Sequence, residues 1–136
     1  RLWTDMLDGA PETGATLEVL GRRLHLPRAS GGLVRASFSS LCDHALGPQD
    51  YLAVAGRFHT VFLEDIPRLV PAKRDAAKRF NTLVDALYEA EAKLVALAEV
   101  EPERLYPEGD GSFEFERTVS RLQEMRSSDW LERVRD

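Results

Sequence analysis

The chain has 136 residues, enough for one domain built on one core, and its 43% hydrophobic and 30% charged residues are those of an ordinary globular protein. No apolar run reaches the roughly 18 residues of a membrane-spanning helix. A net charge of -5, with acids scattered along the chain, leaves no electrostatic footprint for nucleic acid, and the single Cys42 excludes an internal disulfide and suits a reducing compartment.

Leu2, Trp3, Met6 and Leu7 fall on one face of a short helix that Asp8-Gly9-Ala10-Pro11 stops, and this stripe needs a partner. The opening Arg1-Leu2-Trp3, already apolar and without an initiator Met, is expected of a piece of something longer, with exposed surface where the remainder packs. Thr16 to Leu20 and Arg22 to Leu26 alternate around Gly21 as paired strands do. Pro27 to Gly32 is a turn cluster, and Leu33 to Phe38 a third alternating strand. The expectation is an amino-terminal helix and linker over 1–15, then a small antiparallel meander over 16–38 on a sheet edge.

Residues 39–136 are expected to supply the core and the carboxyl-terminal helices. Phe38, Leu41 and Cys42 sit at helical spacing, and Gly47-Pro48 resets the chain. Pro48-Gln49-Asp50 suits a first helical turn, Tyr51, Leu52, Val54 and Ala55 follow, and Gly56 ends it. The stretch from Phe58 to Ala98 is central. Val61-Phe62-Leu63 and Leu94-Val95-Ala96-Leu97 flank Phe80, Leu83, Val84, Leu87 and Tyr88 at helical spacing, which predicts strand, helix, strand in a right-handed parallel crossover. After Glu99, Leu105 and Tyr106 anchor a turn; a helix from Phe113 turns Val119, Leu122 and Met125 inward; and Ser127-Ser128-Asp129 caps a last short helix with Trp130, Leu131 and Val134. The fold class is therefore α/β: one domain, a mixed sheet parallel around the crossover and edged by the antiparallel meander, with helices packed on it.

Several chemistries are missing. There is no GxxxxGK[ST] phosphate loop, no GxSxG, no HExxH and no CxxC, and His25, His44 and His59 are not at metal-ligand spacing. Cys42 and His44, two residues apart, diverge on a helix and make a poor dyad. Glu64-Asp65 and Glu99 stand at the carboxyl ends of the two strands, where ligands gather in parallel sheets. Glu64-Asp65 either presents an acidic pair to a metal-bound nucleotide, as a Walker B strand does, or caps the turn into Ile66-Pro67. The long helix carries charge against its own dipole, with Lys73 and Arg74 near the amino end and Glu89 and Glu91 near the carboxyl end, and its Arg74, Lys78 and Arg79 have two readings. Either they are solvated and paired within the helix, as Asp75 to Arg79, or they face an anion or a partner. Arg117 and Arg121, four residues apart, share one helical face and can grip a phosphate or carboxylate, unless Glu114, Glu116 or Glu124 neutralises them.

The segments LCDHALGPQDYLAVAGRFHTVFLEDIPRL, KRFNTLVDALYE and KLVALAEVEPERLYPEGDGSFEFERTVSRLQEM resemble, in order, the carboxyl-terminal third of the AFG/ZapE family of P-loop ATPases, over about Thr16 to Ser128. The resemblance implies an AAA+-related protein that in full length binds and hydrolyses ATP with Mg, is cytoplasmic in bacteria and is linked there to the cell-division ring. It implies that the Walker A and Walker B motifs lie upstream, so that this chain alone binds no cofactor and is inactive, and that Glu64-Asp65 is not Walker B. It makes Arg117 and Arg121, in the family's RTxSRL motif, candidates for the arginine that stabilises charge on the transferred phosphoryl group. Where the family commonly has Ser-Ala-Glu, this chain has Leu97-Ala98-Glu99, so any role of that serine is absent. The implied partners are the P-loop portion of the same protein, further copies in a homo-oligomer and a division-ring protein, with the membrane reached only through partners and no nucleic acid. The alternative is a non-catalytic protein-binding or oligomerisation module whose arginines are paired internally. A third reading, an independent enzyme using Glu64, Asp65 and Glu99, requires a pocket beside all three.

Overall fold

The computed structural model of the chain describes residues 2–127; the last helix expected around Trp130 lies outside them. Helix α1 (Leu2–Leu7) leads into a hairpin of β1 (Ala15–Val19) and β2 (Arg22–Leu26). Strands β3 (Arg28–Ser30) and β4 (Leu33–Ser37), helices α2 (Phe38–Cys42) and α3 (Pro48–Arg57), and β5 (Thr60–Ile66) follow. A 3-10 turn at Pro71–Lys73 opens helix α4 (Arg74–Glu89), which leads to β6 (Lys93–Ala98) and helix α5 (Ser112–Glu124).

The main sheet has four strands in the order β3-β4-β5-β6, antiparallel between β3 and β4 and parallel from β4 through β5 to β6. The α4 crossover between parallel β5 and β6 and the antiparallel edge are as expected from the sequence. The 16–38 segment differs in detail. β1 and β2 pair only with each other, as a second two-stranded sheet, and the expected turn cluster contains strand β3. The hairpin turns on Leu20 and Gly21, both at positive φ (51° and 79°), the conformation a two-residue turn needs so that its twist matches the strands.

One face of the sheet carries the core. Val34, Val61 and Leu63 alternate inwards from β4 and β5 and meet Phe80, Leu83, Val84 and Leu87 of α4, all buried. Rings bridge the layers: Phe38 packs on Phe80 at 5.8 Å, Phe80 stacks on Phe115 of α5 at 6.0 Å, and Tyr106 meets Phe115 edge-on at 5.6 Å. On the opposite face α1 is anchored through Trp3, its one buried residue, while Leu2 of the expected stripe is exposed. Trp3, 2% exposed, stands edge-on to Phe62 at 5.7 Å, and its indole N–H donates to Glu12. Arg28 clasps the same carboxylate through Nε and Nη2, at 2.8 and 3.0 Å. The hairpin is tied down separately, where Arg22 donates to both oxygens of buried Asp50, which also accepts the Gly47 N–H at the start of α3.

Candidate functional site

The α4–α5 contact is made first by apolar and neutral groups. Phe115, Thr118 and Leu122 are buried on α5, and the Thr118 hydroxyl donates to the Asn81 side chain of α4 at 2.5 Å. This fixes the rotation of α5 and turns the next strip of the helix, Arg117 and Arg121, onto α4. There Asp85, one turn beyond Asn81, receives both: Arg117 Nη2 donates to Oδ2 at 3.0 Å and Arg121 Nη1 to Oδ1 at 2.7 Å. The arginines share a face, as their spacing requires, and their acid is Asp85 rather than the Glu114, Glu116 or Glu124 that the sequence offered. Sequence reasoning missed Asp85; its signal was the polar strip Arg74, Lys78, Asn81 and Asp85, which runs at helical spacing beside the apolar stripe of α4.

The two guanidiniums are not equivalent. Arg121 is 23% exposed and its guanidinium lies 4.4 Å from the centre of the Tyr88 ring, whose hydroxyl donates to Glu124. Arg117 is 64% exposed and borders a groove of about 520 Å³ between the two helices. Arg74 and Lys78 line the same groove, so three of the sequence-selected cations come together. Asp75, Asp85, Asp110 and Glu114 line it as well, and Arg74 Nη1 lies 4.0 Å from Asp110. A surface that mixes acids and bases in this way is not a phosphate cradle.

Arg79 stands apart. It donates to the Cys42 carbonyl at 3.2 Å rather than to Asp75, the within-helix pairing that was one of its two readings. Glu64 and Asp65 lie at the carboxyl end of β5, as expected, but inside the strand, so neither caps a turn. Glu64 pairs with Arg35 of the neighbouring β4 at 2.6 Å, and that hydrogen bond holds its carboxyl below the usual carboxylate range. Asp65 takes a positive φ of 59° at an irregularity in the β5–β6 register. Asp65 and Glu99 border one open hollow at the carboxyl ends of β5 and β6, without Glu64, and the Glu99 carboxylate accepts the Arg68 N–H at 3.2 Å. Among the described residues no three His, Cys, Asp or Glu side chains are grouped as metal ligands. Cys42 is fully buried, and burial pushes its thiol up to about 12, so it offers no nucleophile.

The family model of the AFG1-like ATPase matches residues 1–134. The chain belongs to the AFG1-like ATPase family. It is 39% identical over 133 residues to the cell division protein ZapE of Escherichia coli K12, covering 98% of this chain and 36% of that protein. It is 31% identical to the uncharacterized protein C115.02c of Schizosaccharomyces pombe, over 85% of this chain and 32% of that one. It is 36% identical to lactation elevated protein 1 homolog B of Danio rerio, over 83% of this chain and 22% of that one. The chain thus spans about a third or less of the curated relatives it matches. No solved structure matches it significantly. No helix among the described residues is long and apolar enough to cross a membrane.

Proposed function

We propose that this AFG1-like chain serves an ATP-hydrolysing protein as the part that contributes arginine and partner surface, while a P-loop portion elsewhere in the same protein holds the phosphates and magnesium. The observation that supports it is the unequal arginine pair on Asp85. Each carboxylate oxygen takes one guanidinium, so Arg117 can leave while Arg121 keeps the acid neutralised. Releasing an ion pair as exposed as that of Arg117 costs about 0–1 kcal/mol. Arg117 is then the residue that meets a phosphoryl group presented by the same protein or by a neighbouring copy, and Arg121 is the residue that positions it. ATP itself does not fit this chain, which has no glycine-rich phosphate loop and whose groove interleaves four acids with its three cations.

The test is turnover in the longer protein. Arg117→Ala is expected to lower kcat by about a hundredfold or more, Arg121→Ala to lower it while also loosening α5, and this chain alone to hydrolyse no ATP. Unchanged kcat in both variants removes the arginine assignment. A cytoplasmic setting, a homo-oligomer and a division-ring partner belong to the same proposal, the last because one relative is named as a cell division protein.

One observation favours a second reading, a non-catalytic binding or oligomerisation module: both guanidiniums are closed on an acid of the same chain. On that reading Arg117→Ala leaves turnover intact and changes only assembly. An independent enzyme built on Glu64, Asp65 and Glu99 is not supported, because Glu64 is turned to Arg35 and does not line the hollow that holds the other two.

A further inference from the structure

Strand β6 is the outer strand of the parallel part of the sheet, and no strand pairs with its far side among the described residues. The Lys93 N–H donates to the His59 carbonyl and the Glu99 N–H to the Ile66 carbonyl, so the odd-numbered residues of the strand turn their backbone groups towards β5. Alternation then points the N–H and C=O groups of Leu94, Ala96 and Ala98 outwards. Ala96, Leu97 and Ala98 are all exposed, Leu97 at 49%, although the sequence of the strand, Lys-Leu-Val-Ala-Leu-Ala, is five-sixths apolar. A long apolar edge with unpaired backbone groups is a template for another strand.

We propose that β6 pairs antiparallel with the β6 of a second copy of this chain, about a two-fold axis at Ala96. The register is set by the sequence. With Ala96 opposite Ala96, Leu94 faces Ala98 of the second copy, and these three positions are the ones whose backbone groups point outwards, so each crossing is a hydrogen-bonded pair. The remaining positions fall into the closer, non-hydrogen-bonded pairs. Val95 lies opposite Leu97, which joins two apolar side chains on one face of the joined sheet, and Lys93 lies opposite Glu99, which pairs opposite charges at both ends. Small alanines sit where the two copies meet. A shift of the pairing by two residues in either direction loses both Lys93–Glu99 pairs, and a shift by one turns the outward backbone groups against inward ones. Such a pairing is isologous, as a two-fold dimer requires. It uses none of Arg74, Lys78, Arg117 or Arg121, so it stands apart from the arginine assignment.

The test is sedimentation of this chain from about 1 μM to about 1 mM, a range that spans weak self-association. A concentration-dependent dimer is expected. Ala96→Pro removes only an outward N–H, a change an edge strand tolerates, and is expected to weaken the dimer at least tenfold with an unchanged circular dichroism spectrum. Lys93→Glu and Glu99→Lys are each expected to weaken it as well, and the two together to restore it, which separates this register from any other face. A chain that stays monomeric throughout, as it would if β6 takes a strand from elsewhere in a longer protein, overturns the proposal. So does a dimer that Ala96→Pro leaves unchanged, or one that the double charge exchange fails to restore.

Discussion

Glu12 shows how much of the opening segment rests on one carboxylate. It receives Arg28 through two guanidinium nitrogens and Trp3 through the indole N–H, and these hydrogen bonds, Arg28 first, hold its carboxyl down to about 2 from an ordinary 4.5. A carboxyl lowered in the folded state contributes stability that is complete above its unfolded pKa and is lost as pH falls through the folded one. The Trp3 contact is therefore expected to loosen as pH drops from about 4.5 towards 2. Trp3 fluorescence in a Trp130→Phe background reads this directly, and Glu12→Gln should show the loosened signal already at neutral pH. A Trp3 signal unchanged to pH 2 contradicts the assignment. Cys42 gives a second expectation at this scale. With the thiol fully buried and raised to about 12, alkylation at pH 8 should proceed only as fast as the chain opens, and denaturant should make it fast.

Among the elements, α4 is the one that the others use as a reference. Its inner face packs on the sheet and, through the stacked Phe80 and Phe115, carries α5. Phe80→Ala removes a ring that is 0% exposed and touches two others, and should cost about 3–5 kcal/mol in denaturant melts. A loss below about 1 kcal/mol would mean that α5 is held by something else. These elements were legible in the sequence because their apolar residues recur at one period over many residues, as Phe80 to Leu87 do in α4 and Val61 to Leu63 do in β5. Strand β3 was not legible. Arg28-Ala29-Ser30 lies among turn-forming residues and is a strand only because β4 pairs with it, a tertiary cause. Asp65 misled for a related reason: its positive φ is a local irregularity that lets β5 run on to Ile66, past the acids that seemed to end it. In the site, the spacing of Arg117 and Arg121 was legible, whereas their acid was not. Asp85 is 32 residues from one and 36 from the other, and only the docking of α5 on α4 brings it there. Gly32 is a similar case, since a Cβ there would lie 2.3 Å from the His59 ring, a proximity no local pattern announces.

At the scale of the whole molecule, the chain has its own core, spans about a third of the ZapE relative and carries two separate outward features: the exposed arginine over the α4–α5 groove and the edge of β6, which no strand covers among the described residues. On the function proposed above the first would meet a phosphoryl group held elsewhere in the same protein, and on the pairing proposed above the second would meet another copy. The two arginines of the proposed site differ in exposure, Arg117 at 64% and Arg121 at 23%. Loss of Arg117 should therefore spare the fold, and loss of Arg121 should remove the half-buried guanidinium that joins Asp85 to the Tyr88 ring and lower the melting temperature. The most direct test is ATP turnover by the longer protein carrying Arg117→Ala, measured beside its thermal melting curve. A kcat lower by about a hundredfold or more with an unshifted melt is the predicted result; a kcat equal to that of the parent, whatever the melt, would contradict it.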